Sequence, residues 1–194
     1  MKIKLKEVVL LALLTAVYII VYMVSMFAIT PLGAFGHSIS PGFCALLSGA
    51  IIIFINRKIG KMWEYTIFSM LIMGVFTLMG VGYIPWIITS LSTAVIADIV
   101  ASRSNKTSIP LLGVASGLIH MGQAWGSIIP STFFLEAYRS HWIERGMKAA
   151  EMDEQIKFTK DLMGLLSTGV VFALSFIGVL LGYAILKKHL EKMK

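Results

Sequence analysis

The chain has 194 residues, of which 57% are apolar and only 14% are charged, and its mean hydropathy is +0.84. A soluble domain cannot cover its surface with so few charged side chains, so the composition predicts an all-α integral membrane protein. The formal net charge of +7 is concentrated at the ends of apolar runs. That placement indicates a membrane-insertion signal rather than a surface that binds nucleic acid.

Four stretches of the chain contain no Asp, Glu, Lys or Arg, namely 8–56, 65–97, 107–135 and 162–186. Each exceeds the roughly 20 residues that one membrane crossing needs. Segments rich in Gly and Pro divide the first stretch at 30–36 and the second at 80–82. One domain, 1–194, with six membrane-spanning helices is therefore predicted, the helices being 8–29, 41–56, 62–79, 83–101, 109–134 and 162–186. The first apolar run is longer than the core of a typical secretion signal, so we expect it to remain in the mature protein.

Basic residues at the helix ends predict the orientation, because short cytoplasmic loops retain Lys and Arg during insertion. In a six-helix arrangement one side collects Lys2, Lys4, Lys6, Arg57, Lys58, Lys61, Arg103, Lys106, Lys187, Lys188, Lys192 and Lys194. That side, with both termini, is predicted to face the cytoplasm. On the opposite side the segment 136–161 carries five basic and six acidic residues. It is predicted to form an amphipathic surface helix outside the membrane.

Motifs for catalysis and for energy conversion are missing from the sequence. It contains no phosphate-binding loop, no H-E-x-x-H zinc motif and no G-x-S-x-G nucleophile motif. The single cysteine, Cys44, excludes an internal disulfide and a thiolate metal cluster. The carboxylates of the predicted spans, Glu64 and Asp98, lie near the cytoplasmic boundary, which disfavours a proton or sodium relay. We expect neither an enzyme nor a metal site of the protein's own.

Several segments carry a resemblance to a known family. They are LALLTAVY at 11–18 after a lysine-rich start, ADIV at 97–100 before SNK at 104–106, FLEAY at 134–138, and GVLLG at 178–182 before KKH at 187–189. With these segments the chain resembles the substrate-binding (S) components of energy-coupling-factor transporters. Among them it resembles the Trep_Strep family of small integral membrane proteins.

The resemblance implies an S-component-like bundle in the bacterial plasma membrane. Such a protein binds a small molecule from the outside and topples in the membrane when a transmembrane coupling (T) component and two ABC ATPases engage it. The docking motif of these proteins, A-x-x-x-A, is matched by Ala12 and Ala16. Small residues four apart let another helix approach closely in lipid. The alternative role of this pair is ordinary packing within the bundle.

Polar and aromatic residues near the predicted outer ends of the spans are the candidates for a ligand site. Three of them, His37, Ser38 and Ser40, follow the turn after the first span. The resemblance implies that they lie in the loop that often covers the site in S components. On the fifth span His120, Gln123 and Ser127 are three and four residues apart and share one helix face. The candidate ligand-binding residues are His37, Ser38, Ser40, Trp86, His120, Met121, Gln123 and Trp125. The alternative for His120 is a hydrogen bond to a neighbouring helix.

Two histidines, a methionine and many aromatic residues in this set favour a large flat ligand such as haem, with His37 or His120 as an axial ligand. Haem is then the transported molecule and not a resident cofactor. A vitamin or another small nutrient is the first alternative, and a small intramembrane enzyme, an assembly factor or a channel subunit is the second. From the outer segment four more residues are candidates to reach a ligand: Glu136, Tyr138, Arg139 and His141.

Overall fold

The computed structural model describes residues 3–191, with side chains from 3 to 187. Over this range the chain forms helices and no β-strand, which confirms the all-α prediction. The helices are α1 Leu5–Ile29, α2 Gly33–Lys58, α3 Glu64–Leu78, α4 Ile84–Ala101, α5 Ile109–Phe133, α6 Leu135–Glu144, α7 Ala149–Thr159 and α8 Asp161–Glu191. Some residues of the charge pattern and of the family resemblance lie outside the described part, namely Lys2, Lys192 and Lys194, and the side chains of Lys188 and His189.

Three stretches of the described chain are long and apolar enough to cross a membrane, namely Leu5–Lys58, Ile84–Ala101 and Asp161–Lys187. The first is 54 residues long and contains both α1 and α2, and α3 is apolar but shorter. Helix α5 is not in this group, because polar residues such as Ser116, His120 and Gln123 lower its hydropathy. All three of these side chains are buried in the bundle. The six-span arrangement stays a prediction.

Helix α2 begins at Gly33 and not at residue 41, so the loop predicted after the first span is shorter than expected. Only the 3-10 turn Thr30–Leu32 separates α1 from α2. Gly33 follows that turn with a φ of +55°, a conformation that glycine adopts without steric cost. On the first two turns of α2 lie the residues expected in a covering loop: His37, Ser38 and Ser40.

The outer segment forms two helices and not one. Helices α6 and α7 are joined by a turn at Gly146, whose φ is +95°. Most charged side chains of this pair are exposed, whereas Tyr138 and Met152 are buried. We refer to residues 135–159 as the outer hairpin.

Helix α5 lies at the centre of the bundle and packs against α2, α4 and α8. Glycines permit the closest approaches between helices. Gly122 of α5 lies against Thr93 of α4, and α2 crosses α8 where Gly49 meets Gly178. Because lipid is as apolar as the core, such close packing takes the place of a hydrophobic driving force between membrane helices.

The end of the bundle that is predicted to face the cytoplasm is closed by a buried polar network. The Asn56 amide donates hydrogen bonds to the Glu64 carboxylate at 3.2 Å, the Ala101 carbonyl at 3.1 Å and the Ser104 carbonyl at 2.9 Å. Arg57 donates to the side-chain oxygen of Asn56 at 2.7 Å. The network therefore joins the ends of α2, α3 and α4 and uses the Glu64 carboxylate structurally.

Candidate functional site

A cavity of about 300 Å³ lies at one end of the bundle, where α1, α3 and α5 end and α2 and α4 begin. In the predicted orientation this is the outer end. The volume is at the lower end of the range found for small-molecule sites. Five helices and the outer hairpin line it, with Tyr22, His37, Ser38, Ser40, Pro41, Phe76, Val81, Tyr83, Trp86, Gln123, Ala124, Gly126, Ser127, Tyr138, Trp142, Met147 and Gln155.

Helices α4 and α5 build one wall of the cavity. Gly126 provides the space for the Trp86 ring, because a Cβ at Gly126 would lie 2.3 Å from Trp86 Cδ1. One turn earlier on α5, Gln123 is buried. Its amide oxygen and nitrogen both lie 3.3 Å from the Tyr18 hydroxyl oxygen. A ligand in the cavity therefore meets an amide that the hydroxyl of α1 already orients.

Aromatic rings from four helices and the α3–α4 turn line the cavity in two clusters. In the first cluster the Phe76 ring lies edge-on to Tyr22, at 4.8 Å between centroids, and to Trp86, at 5.5 Å. In the second cluster the Tyr83 ring is tilted against Tyr138, at 5.9 Å, and against Trp142, at 5.7 Å. The ring contacts within each cluster hold the rings in place. The arrangement presents fixed aromatic surfaces to whatever occupies the cavity.

Two arginines stabilise the outer hairpin: Arg145 attaches it to the α3–α4 turn, and Arg139 joins its two helices. Arg145 donates hydrogen bonds to the carbonyls of Gly80 at 3.1 Å and Gly82 at 3.3 Å, in the turn between α3 and α4. Arg139 of α6 forms two hydrogen bonds with Asp153 of α7, at 2.7 and 3.1 Å. These bonds hold the pKa of Asp153 below its usual range. The pair is therefore intact at neutral pH and is lost as the pH falls through that lowered pKa.

Two side chains of the hairpin have buried nitrogen atoms without a hydrogen-bond partner among the described residues, namely His141 Nε2 and Trp142 Nε1. Burial, and then the charge of Arg145, lower the pKa of His141. The imidazole is therefore neutral at pH 7. Trp142 lines the cavity, and its buried N–H lies near the Tyr138 hydroxyl, four residues earlier in the chain.

The structure places some of the sequence-predicted site residues at the cavity and others away from it. The lining includes His37, which is exposed and therefore at the rim, with Ser38, Ser40, Trp86 and Gln123. Of the candidates in the outer segment, only Tyr138 lines the cavity, and Glu136, Arg139 and His141 do not.

Three predicted residues of α5 do not line the cavity. His120 is buried in the core, where its Nδ1 lies 2.8 Å from the Ser116 carbonyl oxygen and its ring lies 6.0 Å from that of Tyr18. Trp125 donates its N–H to Thr168 of α8 at 3.3 Å. Met121 is likewise outside the lining. One face of α5 borders the cavity, and these three side chains lie deeper in the bundle or on other faces of the helix.

Several lining residues were missed by sequence reasoning. A signal was present for two of them, because Tyr83 is three residues before the predicted Trp86 and Trp142 is four residues after the predicted Tyr138, and helical spacing puts such pairs on one side. The other missed residues carry no such signal, because they meet only when α1, α3 and the outer hairpin converge: Tyr22, Phe76, Met147 and Gln155.

The predicted docking residues lie on the free face of α1. Ala12 and Ala16 are both exposed and are not packed within the bundle. They are flanked by the large exposed side chains of Leu13 and Ile20. The result is a shallow apolar groove along α1 with two small residues at its base.

A family model for the "Hypothetical bacterial integral membrane protein (Trep_Strep)" matches residues 5–192. No curated protein and no solved structure matches the chain. The matched range includes every helix of the bundle and the whole cavity lining. The chain therefore belongs to the Trep_Strep family of bacterial integral membrane proteins.

Proposed function

We propose that this protein is the substrate-capturing S component of an energy-coupling-factor importer. It spans the membrane six times with both termini in the cytoplasm and binds a small nutrient in the cavity at its outer end. A transmembrane coupling component and two ABC ATPases then drive release to the inside. Its own role is binding and delivery, without catalysis.

The observation that carries this proposal is a cavity at one end of the bundle with a filled core beyond it. Below Gln123 the bundle is packed with buried side chains, among them Tyr18, Phe68 and Leu112. The other end is closed by the network around Asn56. A pocket of this kind favours capture of a ligand over conduction, which needs a continuous polar lumen.

The exposed face of α1 supports the proposed docking to a coupling component. The proposed partner helix packs over Ala12 and Ala16, where the absence of bulk lets two backbones come close. Large side chains at these positions would hold the helices apart. Ala12 and Ala16 are exposed and are not among the lining residues of the cavity, so docking and ligand binding can be tested separately.

Haem, the ligand favoured by the sequence, is one candidate nutrient. Of the two histidines predicted as axial ligands, His37 lines the cavity and His120 does not. A porphyrin is also large for a cavity of about 300 Å³. The site therefore favours a smaller nutrient over haem.

Substitution of the docking residues tests the importer role. We expect Ala12→Leu with Ala16→Leu to abolish co-purification with a co-expressed coupling component and its ATPases, because the added side chains separate the helices. The matched control is Ala28→Leu, at another exposed alanine near the outer end of α1. It should leave the complex intact.

Two readouts decide the outcome. Loss of the complex in the double variant, with small-molecule binding by the isolated protein unchanged, supports the proposal. A wild-type protein that does not associate with any coupling module contradicts it, as does a double variant that associates as well as the control.

A further inference from the structure

We infer that the cavity selects an uncharged, flat aromatic molecule of one or two rings. This inference deepens the proposed function and takes from it that the cavity is the substrate site. It rests on the charge and the ring content of the described lining.

The charge of the lining is the first step. Among the described lining residues there is no Asp, Glu, Lys or Arg. At pH 7 a tyrosine hydroxyl is neutral and a histidine side chain is mostly neutral, so neither residue type adds a full charge to the lining. An ion that leaves water for such a site finds no counter-charge and keeps most of its desolvation cost. An uncharged ligand does not meet this penalty.

The charged side chains of the outer hairpin are not among the lining residues of the cavity. Arg139 is paired with Asp153, and Arg145 is bound to the carbonyls of the α3–α4 turn. Lys157 is paired with Glu154 on the surface of α7. The hairpin thus turns its charges outward and contributes Tyr138, Trp142, Met147 and Gln155 to the cavity.

The shape and polarity of the ligand follow from the rest of the lining. Six of the lining residues are aromatic, and offset or edge-on contacts with them favour a flat ring system. At about 300 Å³ the cavity is at the lower end of the range for small-molecule sites, which suits one or two rings. The Gln123 amide, which is part of the lining, offers both a donor and an acceptor.

A set of probes that share one ring system and differ in charge tests this inference. The set is 2-naphthamide, 2-naphthoate and 2-naphthylmethylammonium, with haemin as a fourth ligand, titrated calorimetrically into the full-length protein in detergent. We expect saturable binding of the amide, about tenfold or more tighter than that of either ion. Equal affinities, tighter binding of either ion or of haemin, or no binding of the amide overturns the inference.

Two tryptophan variants test the point of contact. Trp142→Leu replaces an aromatic ring of the lining by an aliphatic side chain, so we expect it to weaken amide binding about fivefold. Trp125→Leu replaces a ring whose N–H is bonded to Thr168 outside the cavity, and it should leave the affinity unchanged. Equal effects of the two variants, or no effect of Trp142→Leu, contradict the role of the aromatic lining.

The outcome is independent of the docking experiment. Selective amide binding together with no association with a coupling module would retain the ligand class and remove the importer role. Association with the module together with tighter binding of an ion would retain the importer role and overturn the ligand class.

Discussion

Asp98 illustrates how one buried side chain can hold two membrane helices together. Its carboxylate accepts hydrogen bonds from the backbone N–H groups of Tyr65 at 3.0 Å and Thr66 at 2.8 Å, and from the hydroxyls of Thr66 and Ser102. The two N–H groups belong to the first turn of α3, which has no intrahelical acceptor. Trp63, the residue before α3, provides no side-chain cap. Asp98 therefore caps α3 from α4.

Removing this cap should destabilise the protein. We expect Asp98→Ala to lower the free energy of unfolding by about 3 kcal/mol, because two buried N–H groups and two hydroxyls lose their acceptor. Asp98→Asn keeps one acceptor oxygen and should cost less. The measurement is unfolding by sodium dodecyl sulfate in mixed micelles.

Asp153→Ala is the control, because this carboxylate is on the surface and its loss should change the stability little. If Asp98→Ala unfolds at the same detergent fraction as Asp153→Ala, the cap contributes nothing and this interpretation of Asp98 is wrong.

The α5 candidates show the limit of residue-level reasoning. Helical spacing puts His120, Gln123 and Ser127 on one face, but only Gln123 and Ser127 line the cavity, and His120 is buried in the core. Trp125 lies on another face of the same helix and packs towards α8. Because α5 is surrounded by three helices, its polar residues have several buried faces available. Spacing alone does not tell which face meets the cavity.

At the level of elements, the closest packing in the bundle is between α2 and α8. A Cβ on Gly49 would lie 2.1 Å from the carbonyl carbon of Gly178, and one on Gly178 would lie 2.3 Å from the Ala45 carbonyl oxygen. These contacts are with backbone atoms, which cannot move aside as a flexible side chain can. The two glycines therefore set the distance between the helices.

Alanine at this crossing should push the helices apart. We expect Gly178→Ala to lower the free energy of unfolding by about 2 kcal/mol, as overpacking of a close contact does. Gly169→Ala on the same helix is the control. No atom lies within 4 Å of a Cβ at that position, so higher helix propensity should leave the stability equal or slightly increased.

The same unfolding titration in mixed micelles separates the two variants. Equal losses for both would show that any alanine in α8 is harmful and that the crossing is not special. No loss for Gly178→Ala would show that the helices separate at little cost.

For the whole molecule, the orientation of the bundle connects the cavity with the outside. The basic residues and the cavity lie at opposite ends of the bundle. If the basic residues face the cytoplasm, the cavity therefore faces the outside. Helix α5 is its critical part, because it links the α4–α5 turn to the outer hairpin and is not among the three strongly apolar stretches.

Labelling of single cysteines tests this orientation. In a Cys44→Ala background we expect Ser140→Cys, in the hairpin, to react with a membrane-impermeant maleimide in intact cells. Ser104→Cys, in the α4–α5 turn, should react only after permeabilisation. Both serines are exposed, and the native Cys44 is buried.

Each result has a definite meaning. Labelling of both positions from the same side would show that α5 does not cross the membrane and that the six-span arrangement is wrong. The reversed pattern would place the cavity in the cytoplasm and remove the basis for capture from outside.

The sequence by itself determined that this is a helical membrane protein and where most of its helices lie. Charge-free stretches, basic flanks and Gly or Pro breaks are local features, and lipid allows few structures that satisfy every backbone hydrogen bond. Only the tertiary structure decided that α2 begins before residue 41, that the outer segment folds into two helices, and which aromatic residues converge on the cavity. These features depend on contacts between residues far apart in the chain, such as Tyr22, Phe76 and Trp142, and no local pattern encodes such contacts.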